Sequence, residues 1–310
     1  MTDATLPRPG LARRLWTYQG ERFPLFKHGV LIAVFAGSAV AYAALLGARP
    51  GWPQAAAAAA VVFLLFLQLR VADEHKDYQD DLTYRPERPV PRGLVSLAEL
   101  RVAAVVAAVV QVAITAAVDP RLLVYLALVW AWMALMTAEF FAPHWLKARP
   151  LVYLLSHMAV MPLIALLAFA FGAGDSGPHL SEVTPFLALS VCNGVALEIA
   201  RKAWGPEDER EGVETYSRLW GPRGTGAAVL LALAGAVAAA VAALYTAGVG
   251  LLPWGLLILL GGAAAAAAEL LYATRPTGSN ARRQETLTGA FVLAGYLLVS
   301  ILPLGRSWLS

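Results

Sequence analysis

The chain has 310 residues, of which 59% are hydrophobic and 15% are charged, and its formal net charge is +3 at pH 7. Typical water-soluble domains carry roughly 25% charged residues, so this composition excludes a single water-soluble core and favours a membrane protein. The basic pI of about 9.1 does not indicate a nucleic-acid partner, because the positions of the basic residues between apolar segments explain it.

Runs of apolar residues predict the secondary structure. A helix needs about 20 apolar residues to cross a hydrocarbon core roughly 30 Å thick. Nine such runs are predicted, at residues 28–47, 53–71, 98–118, 121–141, 150–173, 184–203, 224–247, 251–273 and 286–305. We therefore expect an all-α fold, a single transmembrane domain over residues 1–310 in which residues 1–27 form an interfacial lead-in.

The charges between these helices predict the orientation of the chain. If the N-terminus is cytoplasmic, all but Arg49, Arg121 and Arg306 of the 24 Lys and Arg residues fall on the cytoplasmic side. An excess of positive residues is typical of cytoplasmic loops. We expect a multi-pass integral membrane protein with a cytoplasmic N-terminus. The first 27 residues show no apolar core with a cleavage site, so no removable signal peptide is expected. Cys192 is the only cysteine, which excludes a framework of disulfides within the chain.

A cluster of carboxylates follows the second predicted helix. Asp73, Asp77 and Asp81 are spaced i, i+4 and i+8, so on a continuing helix they lie near one face, with Glu74 beside them. Like charges at this spacing repel each other, and a cation is expected among them. Three interpretations are open from these residues alone: a solvated, salt-bridged helix end, a divalent-cation site, or a cation pathway through the membrane.

A proline-stiffened loop at residues 84–93 comes next in the chain and favours the divalent-cation site. It carries Arg85, Arg88 and Arg92. Guanidinium groups bind phosphate oxygens bidentately. Mg²⁺ is usually bound by one or two carboxylates together with water and substrate phosphates. Carboxylates and arginines beside an apolar helix therefore predict a site for a diphosphate with a hydrocarbon tail.

The acidic segment and the loop resemble the first signature of the UbiA superfamily of intramembrane prenyltransferases. That signature reads Asn-Asp-x-x-Asp-x-x-x-Asp and is followed by Arg-Pro-x-Pro-x-Gly. Asp73 stands at the asparagine position, Glu74 replaces the first aspartate, and Asp77 and Asp81 match the other two. Residues 88–93 match the second element. Nine helices with two cytoplasmic acidic segments are also typical of that superfamily.

The second signature of the superfamily, at the end of its sixth helix, is matched less closely. It is built on Asp-x-x-x-Asp followed by Gly-x-x-Thr. Asp208 corresponds to the last aspartate and precedes the matching residues 212–215, but Trp204 occupies the earlier acidic position. Glu198 is predicted as the inner carboxylate instead, because an acid within an apolar helix is costly unless it has a function.

Each of these residues also has a structural interpretation. Glu198 is placed to form i, i+3 or i, i+4 ion pairs with Arg201 or Lys202. The acids after Pro206 are ordinary partners of a helix dipole. Lys147 and Arg149 resemble a basic element that follows the fourth helix of the superfamily, but positive residues on the cytoplasmic side need no further explanation.

The resemblance implies a Mg²⁺-dependent enzyme that ionises a polyprenyl diphosphate and transfers the prenyl group to a lipophilic acceptor, for example an aromatic one, within the membrane lipid. The implied catalytic residues are Asp73, Asp77, Asp81 and Glu198. The implied metal ligands are these four with Glu74 and Asp208. The implied substrate-binding residues are Arg85, Arg88, Arg92, Lys147, Arg149, Arg201 and Lys202.

Two alternatives remain. A terpene cyclase, an activity that also occurs in the superfamily, would cyclise farnesyl or geranylgeranyl diphosphate without an acceptor. A divalent-cation transporter would use ionisable residues deep in the membrane. The candidates are Glu139, His157, Glu198 and Glu269. An allylic cation would be stabilised by aromatic faces. The candidates near the cytoplasmic half of the fourth and fifth helices are Trp130, Trp132, Phe140, Phe141, Trp145 and Tyr153.

Overall fold

The computed structural model describes residues 9–174 and 179–307. Residues 1–8 of the predicted lead-in lie outside this part. Within it the chain is helical and has no strand. The α-helices are α1 (Leu11–Arg22), α2 (Leu25–Leu45), α3 (Trp52–Lys76), α4 (Tyr78–Tyr84), α5 (Leu97–Val118), α6 (Leu123–Thr137), α7 (Pro143–Lys147), α8 (Pro150–Met158), α9 (Val160–Ala173), α10 (Leu180–Arg201), α11 (Tyr216–Thr246), α12 (Leu251–Thr274), α13 (Gly278–Tyr296) and α14 (Leu302–Ser307).

In the described residues, nine helical segments are long and apolar enough to cross a membrane, which confirms the predicted all-α membrane fold. Two of the shifts of a boundary have clear local causes. The seventh segment begins at Tyr216 rather than 224, because Thr215 caps the helix and the chain continues through a kink at Gly221. The fourth ends at Thr137 rather than 141, because a turn with positive φ follows it.

Small residues allow the helices to pack closely. Helix α2 packs against α3 and α9, and α10 packs against α9, α11 and α13. At Gly172 on α9, an added Cβ would lie 2.9 Å from Cα of Val40 on α2. Glycine has no side chain, so the backbones of α2 and α9 can approach closely at this point. Gly172 therefore sets the distance between the two helices.

Substitution of Gly172 by alanine is therefore expected to destabilise the bundle. The added methyl group would collide with the backbone of α2, and overpacking of this kind costs about 1–3 kcal/mol. Gly37→Ala is the matched control, since a Cβ there would meet only Ile301 at 3.8 Å, an ordinary contact. Thermal unfolding in detergent should show a lower midpoint for Gly172→Ala alone, and equal midpoints for the two variants would contradict this packing.

The N-terminal helix α1 is attached to the C-terminal end of α3 and the N-terminal end of α5. Arg14 forms a salt bridge with Glu99 at 2.6 Å and donates to the carbonyl oxygen of Leu94. Tyr18 is buried in a small apolar cluster with Val71 of α3. Helix α1 therefore covers the region in which the predicted acidic segment lies.

Candidate active site

The first acidic segment keeps its three aspartates on one side of the helix. Helix α3 ends at Lys76 and α4 begins at Tyr78. The i to i−4 hydrogen bonds nevertheless continue across the junction: the amide of Asp77 donates to Asp73 and the amide of Asp81 donates to Asp77, each at 2.8 Å. Because successive i+4 positions stack along a helix, the predicted alignment of these carboxylates is retained.

The three carboxylates differ in environment. The side chain of Asp73 is 54% exposed and lies 3.6 Å from Arg70. Asp77 is half-buried and forms no ion pair with any described residue. Its pKa is raised, first by burial and then by the negative charges of Asp73 and Asp81. Such a carboxylate is stabilised by any cation that reaches it.

Asp81 and two of the predicted arginines form a buried group. The Asp81 side chain is 2% exposed, and its carboxylate accepts hydrogen bonds from Arg85 at 2.9 Å and from Arg88 at 2.7 Å. Arg92 lies elsewhere, in a bidentate pair with Glu21 of α1. The loop therefore brings Arg85 and Arg88, but not Arg92, to the acidic segment.

Glu74 has a structural partner. Its carboxylate accepts a hydrogen bond from Arg22 of α1 at 2.6 Å, and its side chain is 1% exposed. This position corresponds to an aspartate in the first UbiA signature. In this chain the geometry supports an anchor for α1 at that position, so the predicted role of Glu74 as a metal ligand has no support from its contacts.

Helix α10 faces the first acidic segment. Glu198 pairs with Arg201 and, at 2.8 Å, with Lys202. Glu198 and Arg201 interact electrostatically with Asp73, and Lys202 interacts with Asp77. The structure thus brings the predicted residues Glu198, Arg201 and Lys202, at the end of α10, within electrostatic range of Asp73 and Asp77.

The acids after Pro206 contact α13 and the residues at the start of α11. Glu207 accepts a hydrogen bond from the backbone amide of Gly278 at 2.6 Å, and this hydrogen bond lowers the pKa of Glu207. Asp208 lies 3.4 Å from Arg282, and Glu209 accepts hydrogen bonds from two hydroxyl groups. These residues line a cleft of about 360 Å³ against α13. The contacts support a structural role for Asp208 rather than the predicted metal ligation.

The end of α7 and the short connection to α8 place the two predicted phosphate ligands, Lys147 and Arg149, at the surface. Lys147 is exposed. The Arg149 guanidinium stacks 4.4 Å from the ring centroid of Trp145 and donates to the carbonyl oxygen of that residue. Neither contact connects these cations to the aspartates.

A further cluster, which the sequence did not predict as a unit, adjoins Asp77. Lys76 donates to the hydroxyl group of Tyr153 and lies 2.8 Å from Glu139. The ring of Tyr153 stacks on His157 at 4.1 Å between centroids. We name Lys76, Glu139, Tyr153 and His157 the polar cluster. The signals available in the sequence were an acid and a histidine within apolar runs.

A turn with an unusual backbone conformation positions Glu139 in the polar cluster. Glu139, Phe140 and Phe141 all have positive φ, at 46°, 51° and 58°. Left-handed conformations cost residues other than glycine about 1–3 kcal/mol each and are concentrated at functional sites. The turn directs Glu139 to Lys76 and places the Phe140 ring 5.4 Å from Trp132 and 6.1 Å from His157. Phe141 and Trp145 are instead largely exposed.

The donor set fits Mg²⁺ bound together with a phosphate ligand. Among the described residues, no group of three or more acidic, histidine or cysteine side chains converges as a complete metal site. Mg²⁺ typically needs only one or two carboxylates when a substrate phosphate supplies further oxygens. Asp73, whose one ion pair is a long contact with Arg70, and Asp77, which forms no ion pair with any described residue, are suitable ligands of that kind.

These observations define a helical membrane protein in which neighbouring helix ends hold carboxylates and cations. The chain belongs to the UbiA prenyltransferase family, whose sequence profile matches residues 83–294. The first acidic segment, residues 73–81, precedes the matched residues, whereas the loop at residues 84–93 lies within them. No curated protein matches the chain.

Two solved structures have the same fold. One is described as the apo structure of a UbiA homolog from Aeropyrum pernix K1: it is 19% identical, the match covers 91% of this chain and 97% of that one, and the TM-score is 0.66. The other concerns digeranylgeranylglyceryl phosphate synthase in membranes: it is 15% identical, the match covers 94% and 99% of the two chains, and the TM-score is 0.65. At these identities the similarity establishes the fold.

Proposed function

We propose that the protein is a Mg²⁺-dependent intramembrane enzyme that transfers the prenyl group of a prenyl diphosphate to a lipophilic acceptor. The observation that carries the proposal is the electrostatic interaction of Asp73 with Glu198 and of Asp77 with Lys202 at the ends of membrane helices, in a chain of the UbiA prenyltransferase family. The positive-inside pattern supports a site that opens to the cytoplasm.

The residues around Asp77 suit a diphosphate head group. Asp73 and Asp77 would hold Mg²⁺, and Glu198 would contribute from α10. Arg85 and Arg88, which share Asp81 in this structure, would bind phosphate oxygens with their planar guanidinium groups. The chemistry supplied by bound Mg²⁺ is neutralisation of the charge that develops on the departing diphosphate.

The rings beside the polar cluster suit the prenyl chain. Breaking the allylic carbon–oxygen bond leaves positive charge on the prenyl group, and the faces of aromatic rings attract such charge. The ring of Phe140 contacts the rings of Trp132 and His157, and His157 stacks on Tyr153. These contacts connect the three rings to one another. Apolar rings also exclude water, which would otherwise capture the cation. No side chain of the protein has to act as a nucleophile.

The test is an assay of the detergent-purified protein with geranyl, farnesyl and geranylgeranyl diphosphate and Mg²⁺. A phenol or a glycerol phosphate ether is added as acceptor in parallel reactions. The proposal predicts pyrophosphate release and a prenylated acceptor, both abolished by EDTA. Cyclic hydrocarbons formed without any acceptor would identify a terpene cyclase instead. Transport of Mn²⁺ or Mg²⁺ into proteoliposomes, without turnover of any diphosphate, would contradict an enzymatic role.

A further inference from the structure

His157 has one ring nitrogen whose role the protein structure leaves open. Its Nδ1 atom lies 2.8 Å from the carbonyl oxygen of Tyr153. A carbonyl oxygen only accepts hydrogen bonds, so Nδ1 must carry the proton of that bond. In the neutral ring the free lone pair is then on Nε2. The backbone contact therefore fixes His157 in the tautomer in which Nε2 is basic.

Nε2 of His157 is buried and has no hydrogen-bond partner in the described structure, and the same is true of Oε2 of Glu139 in the same polar cluster. An unsatisfied buried polar atom costs about 1–3 kcal/mol, and native structures contain few of them. Two such atoms in one cluster indicate that a ligand with a polar hydrogen binds there.

The surroundings of His157 connect it to both parts of the proposed substrate site. Its ring stacks on Tyr153 and meets the edge of Phe140, so it lies among the rings proposed to face the prenyl chain. Tyr153 in turn contacts Lys76, the residue next to Asp77. His157 therefore lies among the rings proposed to face the prenyl chain and is connected through Tyr153 and Lys76 to the proposed diphosphate site.

We propose that Nε2 of His157 is the base that accepts the proton released by the acceptor during prenyl transfer; this role rests on the proposed function. The bond between C1 and oxygen of the prenyl diphosphate breaks, and its electron pair leaves with the diphosphate. An electron pair of the acceptor forms the new bond to C1. The O–H or C–H proton of the acceptor moves to Nε2, and the imidazolium later returns it to water.

The charged groups around His157 act on its protonated form in opposite directions. Glu139 and Glu198 interact electrostatically with the ring and stabilise an imidazolium, whereas Lys76 opposes it. The positive charge of Lys76 is partly offset by its salt bridge with Glu139. The hydroxyl group of Tyr153 binds Lys76 and carries no charge of its own. The polar cluster thus holds a neutral imidazole, and two carboxylates lie near enough to interact with the imidazolium that forms when it receives the proton.

The test compares two products of the same reaction in His157→Asn. Asparagine retains a donor near the position of Nδ1 but has no base at the position of Nε2. Geranylgeranyl diphosphate is the donor, and the acceptor is the phenol or the glycerol phosphate ether, whichever the wild-type protein prenylates. We expect formation of the prenylated acceptor to fall by about 10²- to 10⁴-fold, the usual contribution of a general base. Pyrophosphate release should fall far less, and free prenyl alcohol should appear.

The ratio of prenylated acceptor to pyrophosphate is the deciding quantity, because it does not depend on the amount of folded protein. His157→Gln serves as a second variant. The control is His144→Asn, which changes a histidine of α7 outside the polar cluster, and we expect a wild-type ratio from it. A wild-type ratio in both His157 variants would overturn the role of His157 while the proposed function stands. Absence of pyrophosphate release in the wild-type protein with every donor would instead contradict the proposed function, and the base with it.

Discussion

Replacing Asp77 by asparagine is expected to reduce prenyl transfer by at least about 100-fold. Asparagine has nearly the same shape but no charge, so the variant removes a ligand for the cation without creating a cavity. Loss of a single group that stabilises transition-state charge typically costs about 10²- to 10³-fold in rate. Of the three aligned aspartates, Asp77 is the one that forms no ion pair with a described residue, so its loss should have the largest effect. The measurement is pyrophosphate release at saturating prenyl diphosphate.

Asp80→Asn is the matched control for this prediction. Asp80 lies in the same segment and is exposed, but its position on α4 is not in the i, i+4 series of Asp73, Asp77 and Asp81. Its substitution changes the net charge equally and should leave turnover close to that of the wild-type protein. Equal losses in Asp77→Asn and Asp80→Asn would mean that the net charge of the segment matters rather than a specific ligand.

Replacing Glu74 by glutamine is expected to destabilise the protein strongly. The carboxylate is 1% exposed and paired with Arg22, whose side chain is 13% exposed. Removing one partner of a buried ion pair typically costs about 3–5 kcal/mol, because the other charge stays buried without compensation. We expect a markedly lower midpoint of thermal unfolding in detergent. The exposed pair of Glu21 and Arg92 provides the control, since Glu21→Gln should have little effect.

A double-mutant cycle separates the two roles considered for Glu74. If Glu74 anchors α1, Arg22→Gln combined with Glu74→Gln should be less destabilising than the sum of the single changes. If Glu74 is a metal ligand, Glu74→Gln should retain its thermal midpoint and lose Mg²⁺-dependent binding of a prenyl diphosphate. The second result would contradict the anchor that the structure indicates.

The membrane fold and the alignment of the first acidic segment were predictable from the sequence. Apolar runs of the required length have one stable solution in a bilayer, namely helices, because every backbone polar group must be satisfied within the segment. The spacing of Asp73, Asp77 and Asp81 predicts a shared face wherever the helix continues, and the backbone hydrogen bonds show that it does.

The partners of individual charges were not predictable, because they depend on which helix ends meet in three dimensions. Glu74 and Arg22 are 52 positions apart in the chain, and no local pattern relates them. Asp208 follows the pattern of the second signature, but the close approach of Gly205 to Gly278 draws its loop toward α13. The contact between Lys76 and Glu139 depends on a turn of three residues with positive φ, which the sequence Glu-Phe-Phe does not indicate.

The measurement that tests the central claim most directly is binding of farnesyl thiodiphosphate, an analogue that ionises slowly, by calorimetry in detergent. Titrations are made with Mg²⁺ and with EDTA, for the wild-type protein and for Asp77→Asn and Asp80→Asn. The proposed site predicts binding that requires Mg²⁺, weakens by at least about 10-fold in Asp77→Asn, and is unchanged in Asp80→Asn. Equal binding in Mg²⁺ and EDTA, or full Mg²⁺-dependent affinity in Asp77→Asn, would contradict a metal-assisted diphosphate site at the end of α3.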